Sequence, residues 1–187
     1  MSHAPSPTDE ELLRRIREGD RKAFGTLVDR YEEVVASTVI GMLGRGPDAE
    51  DAGQETFIRF YRSIDRFRGE SSLKTYLTRI AINQSLKAIS RRRRWIERFF
   101  SRDASGEEMD LEDPGAMQVF EGRERDELVQ SALHRLSPEH RAVVVLRVLE
   151  GYDTNETAKM LGIRPGTVMS RLSRALARMQ AELGEAA

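Results

Sequence analysis

The spacing of apolar residues constrains this sequence more than any other feature. Apolar side chains recur at three- and four-residue steps along most of the 187 residues, and no stretch shows the alternation that is typical of strands. Such steps place side chains on one face of a helix. Because 39% of the residues are apolar, these faces can build a small core. The sequence therefore predicts an all-α fold.

Residues that start and end helices divide the first half of the chain into four helices. A short helix ends at Gly19, and Asp20 precedes a second one. Pro47 suits the first turn of a third helix, which is predicted to continue to about Phe67. The polar turn at residues 69–72 separates it from a fourth helix.

The charge of the chain changes abruptly near its middle. Residues 87–102 carry seven basic side chains against one acid, whereas residues 103–121 carry seven acids and no Lys or Arg. Serine, glycine and proline interrupt any helix in the acidic stretch. The pattern predicts two small helical domains, at residues 1–95 and 123–187, joined by a flexible acidic linker at residues 96–122.

The second domain is predicted to hold four helices, and its last two have helix-turn-helix spacing. Gly162 supplies the turn, and Pro165 opens the final helix. Ala158 is small enough for the two helices to cross closely, and Ile163 and Val168 are placed to pack in the angle between them.

The final helix has a polar face that suits DNA. Its side chains are hydrogen-bond donors at a spacing that can reach the major groove and the phosphates beside it. The alternative is an ordinary helical hairpin with a solvated basic face. We favour DNA binding through Arg164, Thr167, Ser170, Arg171 and Arg174.

A basic loop with aromatic neighbours marks the first domain. Rings interleaved with cations and amides suit single-stranded DNA, because bases stack on rings while cations hold phosphates. Considered alone, Phe67 and Tyr76 are more often core residues. The candidate residues are Arg66, Phe67, Arg68, Ser71, Ser72, Lys74, Tyr76, Arg79 and Asn83.

Acidic and amide side chains crowd one side of the third helix. The first acids complement the positive end of the helix dipole, but the polar series continues past the first turn. This pattern indicates a docking face for a partner, with Asp48, Asp51, Gln54, Glu55 and Phe57 as its candidate residues.

Nothing in the sequence asks for catalysis, a metal or a cofactor. The three histidines are scattered, cysteine is absent, and no glycine-rich phosphate loop or catalytic triad spacing occurs. We therefore expect a chain that is not an enzyme and has no cofactor. The lack of cysteine fits a cytoplasmic protein, and no apolar run reaches the roughly 20 residues that span a bilayer.

Several spaced motifs resemble the extracytoplasmic-function sigma factors of the sigma-70 family. The resemblance covers nearly the whole chain, with the motifs in the family's order. Those of region 2 match residues 48–57 (DAEDAGQETF), 65–72 (DRFRGESS), 76–77 and 80–83, and those of region 4 match residues 136–141 (LSPEHR), 150–152 (EGY) and 161–172 (LGIRPGTVMSRL).

The resemblance implies a division of labour among these surfaces. The third helix would dock on core RNA polymerase, the basic loop and fourth helix would capture the minus-10 element as its strands separate, and the final helix would read the minus-35 duplex. The acidic linker would thread toward the polymerase active-site channel. An anti-sigma factor is a further implied partner, and no membrane insertion is expected.

The sequence departs from the family pattern at one position and also admits one alternative function. Met169 stands where the family commonly places a lysine, which removes one potential phosphate contact. A one-component regulator is the alternative function, with the first domain sensing a ligand and the second binding an operator. That alternative predicts a ligand pocket and dimeric binding, without any need for polymerase.

Overall fold

The computed structural model describes residues 6–100 and 124–185. Every regular element in these two ranges is helical, which confirms the predicted all-α fold. The α-helices are α1 (Asp9–Arg17), α2 (Arg21–Leu43), α3 (Pro47–Ser63), α4 (Leu73–Phe100), α5 (Glu124–His134), α6 (Pro138–Val144), α7 (Thr154–Leu161) and α8 (Pro165–Glu185).

The predicted acidic linker lies mostly outside the described residues. Residues 101–123 belong to neither described range. Helix α4 continues through Phe100, past the position where the linker is predicted to begin. The domain boundaries therefore stay predictions, and below we call α1–α4 the first unit and α5–α8 the second unit.

Capping side chains start the first two helices of the first unit. The Thr8 hydroxyl accepts a hydrogen bond from the amide of Glu11, and the Asp20 carboxylate accepts from the amides of Lys22 and Ala23 at 2.8 and 3.1 Å. Each bond satisfies an amide that the first turn of a helix leaves unpaired. The four helices enclose one apolar cluster, whose fully buried members include Leu12, Leu27, Phe60, Leu77 and Ala81.

Helix α3 ends earlier than the predicted Phe67. Residues Ile64–Arg66 form a 3₁₀ turn instead. The Arg17 guanidinium donates to the carbonyls of Ile64 and Phe67 at 3.1 and 2.8 Å, so α1 supplies partners that a continuing helix would otherwise provide. This contact, between residues far apart in sequence, turns the chain toward the basic loop.

The second unit is built from three short helices and the longer α8, which pack around two small apolar clusters. Helix α6 passes directly into a wider π-helical turn at Val145–Leu149, in which the amide of Glu150 donates to the carbonyl of Val145 at 2.9 Å. This turn was not anticipated from the sequence. Gly162 ends α7 in the left-handed conformation, with φ of 66°, and so makes the predicted turn before α8.

The two units also pack against each other. Met42 of α2 and Ile82 of α4 share an apolar cluster with Ala142, Val145 and Leu146 of the second unit. The face of α4 that meets the second unit is therefore unavailable for other contacts in this state. None of the described helices has the length and apolar character that crossing a membrane requires.

Candidate functional site

Helix α4 presents two opposite faces, and one of them lines a groove. Tyr76, Ile80, Asn83 and Lys87 follow one another at three- and four-residue steps and line the groove together. Residues of α3 form the opposite wall. The groove encloses about 810 Å³ and is open to solvent.

The groove is strongly basic. Five of its lining side chains are cationic, namely Arg59, Arg62, Arg66, Lys87 and Arg94. Neutral hydrogen-bonding side chains, Asn83 and Gln84 among them, lie between these cations. Cations beside amides and an aromatic ring can hold a phosphate backbone and receive bases.

Tyr76 lies at the centre of an aromatic cluster beside the groove. Its ring centroid is 5.0 Å from that of Phe67 and 6.2 Å from that of Phe60. The guanidinium of Arg79 lies 5.3 Å from the Tyr76 ring centroid, within the range of a cation–π contact. The Tyr76 hydroxyl is 3.2 Å from the Ser63 hydroxyl, which fixes the ring between α3 and α4.

The basic loop before α4 contains exposed side chains as well as side chains that pack on the core or cap the helix. Arg66, Arg68 and Ser71 are exposed and can reach a ligand. Phe67 is half-buried and packs on the first apolar cluster. The Ser72 hydroxyl accepts from the amide of Thr75 at 3.1 Å, so Ser72 caps α4.

The structure brings only part of the predicted minus-10 set into the groove. Arg66, Tyr76 and Asn83 line it. Lys74 lies on the other face of α4, where its amino group is 4.0 Å from Glu150 and 5.6 Å from the ring centroid of Tyr152. Lys74 therefore faces the second unit in this state.

Four groove cations were missed by the sequence analysis. Arg59 and Arg62 lie on α3, and Lys87 and Arg94 lie farther along α4. Their spacing contains a signal, because Arg59, Arg62 and Arg66 recur at three- and four-residue steps. That signal became informative only once the facing helix was known.

The predicted docking face on α3 is partly exposed. Asp51 and Gln54 are exposed, while the Glu55 carboxylate is paired with Arg59 at 2.7 Å. Asp48 lies 4.0 Å from Arg92 of α4. Phe57 is half-buried against the first apolar cluster, so its main contact in this state is with the core.

Helices α7 and α8 adopt the packing that the helix-turn-helix spacing predicts. Ala158 and Val168 are buried together with Val143 of α6, and Ile163 packs against the same cluster. Helix α7 begins with a reciprocal capping box between Asp153 and Glu156, with both bonds at 2.8 Å. These contacts set the angle at which α8 projects.

The outer face of α8 is open to solvent. Arg164, Ser170 and Arg174 are exposed, whereas Thr167 and Arg171 are half-buried. Met169 is 64% exposed, so an unusual apolar side chain lies among the candidate DNA contacts. Four of the five predicted residues lie along this accessible helix, and Arg164 immediately precedes it.

His140 lies close to this basic helix. Partial burial lowers the pKa of its imidazole, and the nearby cations of Arg171 and Arg174 lower the pKa further. Its Nδ1 is 2.8 Å from the Ser137 hydroxyl. In residues 6–100 and 124–185, no three His, Asp or Glu side chains cluster as a metal site would need.

Family models match both units. The Sigma-70 region 2 model matches residues 27–95, and the Sigma-70 region 4 model matches residues 126–179. The groove and the docking face fall in the first match, and the helix-turn-helix falls in the second.

Two solved complexes have similar folds. The structure of CnrH in complex with the cytosolic domain of CnrY matches with a TM-score of 0.66 and 25% identity, covering 96% of this chain and 99% of the other. The sigma factor RpoE from Bartonella quintana, in complex with the anti-sigma factor NepR, matches with a TM-score of 0.69 and 24% identity, covering 87% of this chain and 98% of the other.

Sequence relatives agree with the family models. The ECF RNA polymerase sigma-E factor of Haemophilus influenzae is 35% identical over 175 residues, which cover 90% of this chain and 91% of the relative. The factor of the same name from Escherichia coli K12 is 35% identical over 176 residues and covers 90% of each chain. The chain therefore belongs to the extracytoplasmic-function sigma factors of the sigma-70 family, which are transcription initiation factors.

Proposed function

We propose that the groove between α3 and α4 captures the separated minus-10 strand, while the outer face of α8 reads the minus-35 element as a duplex. The observation that carries this proposal is the groove itself, in which five cations surround Tyr76 and Asn83. Duplex DNA needs a protruding element for its major groove, whereas a single strand needs a cleft with stacking surfaces. The first unit has the cleft and the second has the protruding helix.

Each kind of side chain in the groove has a separate role in this proposal. Arg59, Arg62 and Lys87 hold phosphates, and Asn83 donates to a base edge. Phe67, with Arg66 and Arg68 beside it, receives a base that leaves the stack, since an extruded base needs a pocket and a stacking partner. The remaining candidates of the loop and α4, namely Ser71, Ser72, Lys74, Tyr76 and Arg79, shape and flank this track.

On and beside α8, the position of a residue decides whether it reads base edges or contacts phosphates. Thr167, Ser170 and Arg171 lie near the start of the helix, which is the end that enters the major groove in helix-turn-helix proteins. Arg164 and Arg174 flank them and contact phosphates. Because phosphate contacts position the protein without reading sequence, Arg164 and Arg174 contribute affinity more than specificity.

The first turns of α3 dock on core polymerase. Asp51 and Gln54 are exposed and therefore accessible to a partner. Asp48 and Glu55 join them after exchanging their ion pairs with Arg92 and Arg59 for partner contacts. Phe57 supports this surface from the core side.

The chain contributes binding and strand separation, and the polymerase makes the phosphodiester bonds. No cofactor is needed for these roles. The domains are those of the sequence prediction, with the first ending near residue 95 and the second beginning near residue 123. The chain acts in the cytoplasm, where bacterial transcription takes place.

An anti-sigma factor controls this chain. Support comes from CnrH, 25% identical over 96% of this chain, which was solved in complex with the cytosolic domain of CnrY. RpoE of Bartonella quintana, which was solved with an anti-sigma factor, shares the fold. A pull-down from the native cell should recover a stoichiometric second protein besides polymerase. Recovery of polymerase alone, in repeated preparations, would count against this control.

The test of the function is a reconstitution. Purified chain is mixed with sigma-free bacterial core polymerase and a library of genomic fragments, and transcripts are sequenced from their starts. We expect starts that depend on the chain and share two spaced upstream elements. A chain that binds DNA by itself, yet adds no start sites with a matched core enzyme, would instead support the one-component regulator.

A further inference from the structure

Met169 is the most exposed large apolar side chain in the part of the chain that the structure describes. It is 64% exposed, compared with 54% for Val148 and 52% for Trp95. It lies in the first half of α8, directly before Ser170, which is one of the predicted minus-35 contacts. Single apolar side chains are common at protein surfaces, but this one lies within a polar face that we propose binds DNA.

The buried residues of α8 fix the direction in which Met169 points. Val168 and Ala175 are buried and face the core of the second unit. Consecutive residues of an α-helix are rotated by about 100° around its axis. Met169 therefore projects sideways from the buried face, and Ser170 projects away from the core. This places Met169 at the border of the outward face of α8.

The centre of this outward face carries only small side chains. Its members are exposed and follow one another at steps of three and four residues, namely Gly166, Ser170, Ser173 and Ala177. A β-carbon at Gly166 would meet nothing within 4 Å, so no packing inside the chain requires glycine there. Small side chains let the helix lie deep in a major groove, which brings the longer side chain of Met169 against the base edges.

The two borders of the outward face differ in chemistry. Arg171, Arg174 and Arg178 recur at three- and four-residue steps along one border. Met169 and Leu176, both exposed, lie two turns apart along the other border. Cations can pair with phosphates, whereas the thioether side chain of methionine gains nothing from a negative charge. The contact expected for Met169 is therefore with the bases.

The major groove offers one kind of partner to an apolar side chain. Base pairs present hydrogen-bond donors and acceptors there, together with the methyl group at C5 of thymine. A thioether sulfur is only a weak acceptor, but the unbranched methionine side chain adapts closely to apolar surfaces. Its favourable contact is with a thymine methyl group, because water leaves both surfaces when they meet.

We propose that Met169 reads thymine in the minus-35 element through an apolar contact with the methyl group at C5. The inference rests on the proposed function, since it assigns a base contact to the helix that binds the minus-35 duplex. The hydrogen-bonding side chains of α8 distinguish bases by their donors and acceptors. Met169 distinguishes thymine from bases that have no methyl group, and it does so at a position where a lysine would contact phosphate without reading sequence.

Deoxyuridine tests this contact directly, because it pairs as thymidine does and lacks only the methyl group. The chain is combined with core polymerase, and promoter fragments obtained from the reconstitution compete for binding. In each fragment, one thymine of the minus-35 element, on either strand, is replaced by deoxyuridine. We expect one or two neighbouring replacements to weaken binding about fourfold. This corresponds to about 0.8 kcal/mol, the value for burying one methylene-sized group.

Two exposed positions of α8 provide the variant and its matched control. Met169→Ala should bind the thymine and deoxyuridine fragments equally, since the side chain that contacts the methyl group is gone. Leu176→Ala removes another exposed apolar side chain from the same border, about 10 Å farther along the helix, and should keep the fourfold dependence. Circular dichroism should show both variants folded. The difference between them is the coupling between residue 169 and the methyl group.

Start-site sequencing separates a base contact from other contacts of Met169. With Met169→Ala, the preference for thymine should weaken at the sensitive position and stay unchanged at the other positions of the element. A contact with phosphate would change the use of all promoters by the same factor. A contact with polymerase would change the affinity for core and leave the two kinds of fragment equivalent. Either of these two patterns would overturn the proposal.

The binding assay also has outcomes that contradict the role of Met169. These are equal binding of every thymine and deoxyuridine fragment by the wild type, an undiminished dependence in Met169→Ala, and a minus-35 element without thymine on either strand. Chain-dependent start sites combined with any of these results would reject the thymine contact alone. Absence of chain-dependent start sites would reject the proposed function, and the contact with it.

Discussion

The first unit forms a groove between two long helices, whereas the second unit presents a single helix to solvent. The groove side chains come from α3 and α4 and surround an aromatic cluster. The candidate contacts on α8 lie in one helix and depend on α6 and α7 only for its direction. A cleft assembled from two elements depends on their packing, while a face of one helix is visible in its own sequence.

The two units also differ in the interactions that stabilise each of them internally. The first has one large apolar cluster contributed by all four helices. The second has smaller clusters and a buried cation, since Arg141 is 1% exposed and donates to the carbonyls of Leu133, His134 and Leu136. Loss of the Arg141 guanidinium can therefore disrupt the second unit by a single substitution.

The largest effect is expected for Arg141→Met. The change leaves buried carbonyls without donors, and we expect the second unit to lose about 3–5 kcal/mol of its free energy of unfolding. Urea unfolding followed by circular dichroism measures the loss. The matched control is Arg135→Met, which removes a partly exposed ion pair with Glu182 and should cost about 0–1 kcal/mol. Equal losses of unfolding free energy in the two variants would show that the buried Arg141 contributes no more to stability than the partly exposed Arg135.

A pair of variants separates the groove from the docking face. Asn83→Ala should slow promoter opening up to about tenfold, through loss of about one hydrogen bond, and leave polymerase binding unchanged. Asp51→Ala combined with Gln54→Ala should weaken polymerase binding first. Permanganate footprinting reports opening, and fluorescence anisotropy reports binding. If thermal melting is the only property that either variant changes, these side chains are structural.

Met169→Lys tests whether this face of α8 contacts DNA. The side chain is exposed on the candidate DNA face, so a cation there adds a phosphate contact. The slope of log affinity for the minus-35 duplex against log salt concentration should become steeper by about one. Titration of a minus-35 duplex with the variant at several salt concentrations measures the slope. Unaltered affinity and slope would mean that position 169 does not face DNA.

The smallest expected effect is on how the stability of the second unit depends on pH. Burial, and then Arg171 and Arg174, lower the pKa of His140 in the folded chain below its ordinary value of 6.5. The unfolded chain therefore binds a proton more readily as pH falls below about 6.5, so the second unit loses stability toward acid. Melting temperatures at pH 7.5 and 5.5 should differ less in His140→Gln than in wild type. An identical difference in both would assign the acid sensitivity to other groups.

The candidate site was predictable to different degrees in the two units. For α8, the polar residues at one helical face, after the turn at Gly162, indicated the exposed Ser170 and Arg174, whereas Thr167 and Arg171 are half-buried. For the groove, the sequence indicated Arg66, Tyr76 and Asn83 but missed Arg59 and Arg62, because a charge run on α3 acquires a role only from the helix that faces it. The location of Lys74 on the opposite face of α4 was missed for the same reason.

Local sequence by itself determined the all-α fold, the starts of most helices and the turn before α8. These features depend on apolar periodicity, capping side chains and glycine, whose effects act within a few residues. Tertiary structure alone decided where α3 ends, because Arg17 of α1 binds the carbonyls there. It also decided that α4 has one face in a groove and the other under the second unit, and that Arg141 reaches Met42. Those outcomes depend on how distant helices pack, and such packing leaves no local signal in the chain.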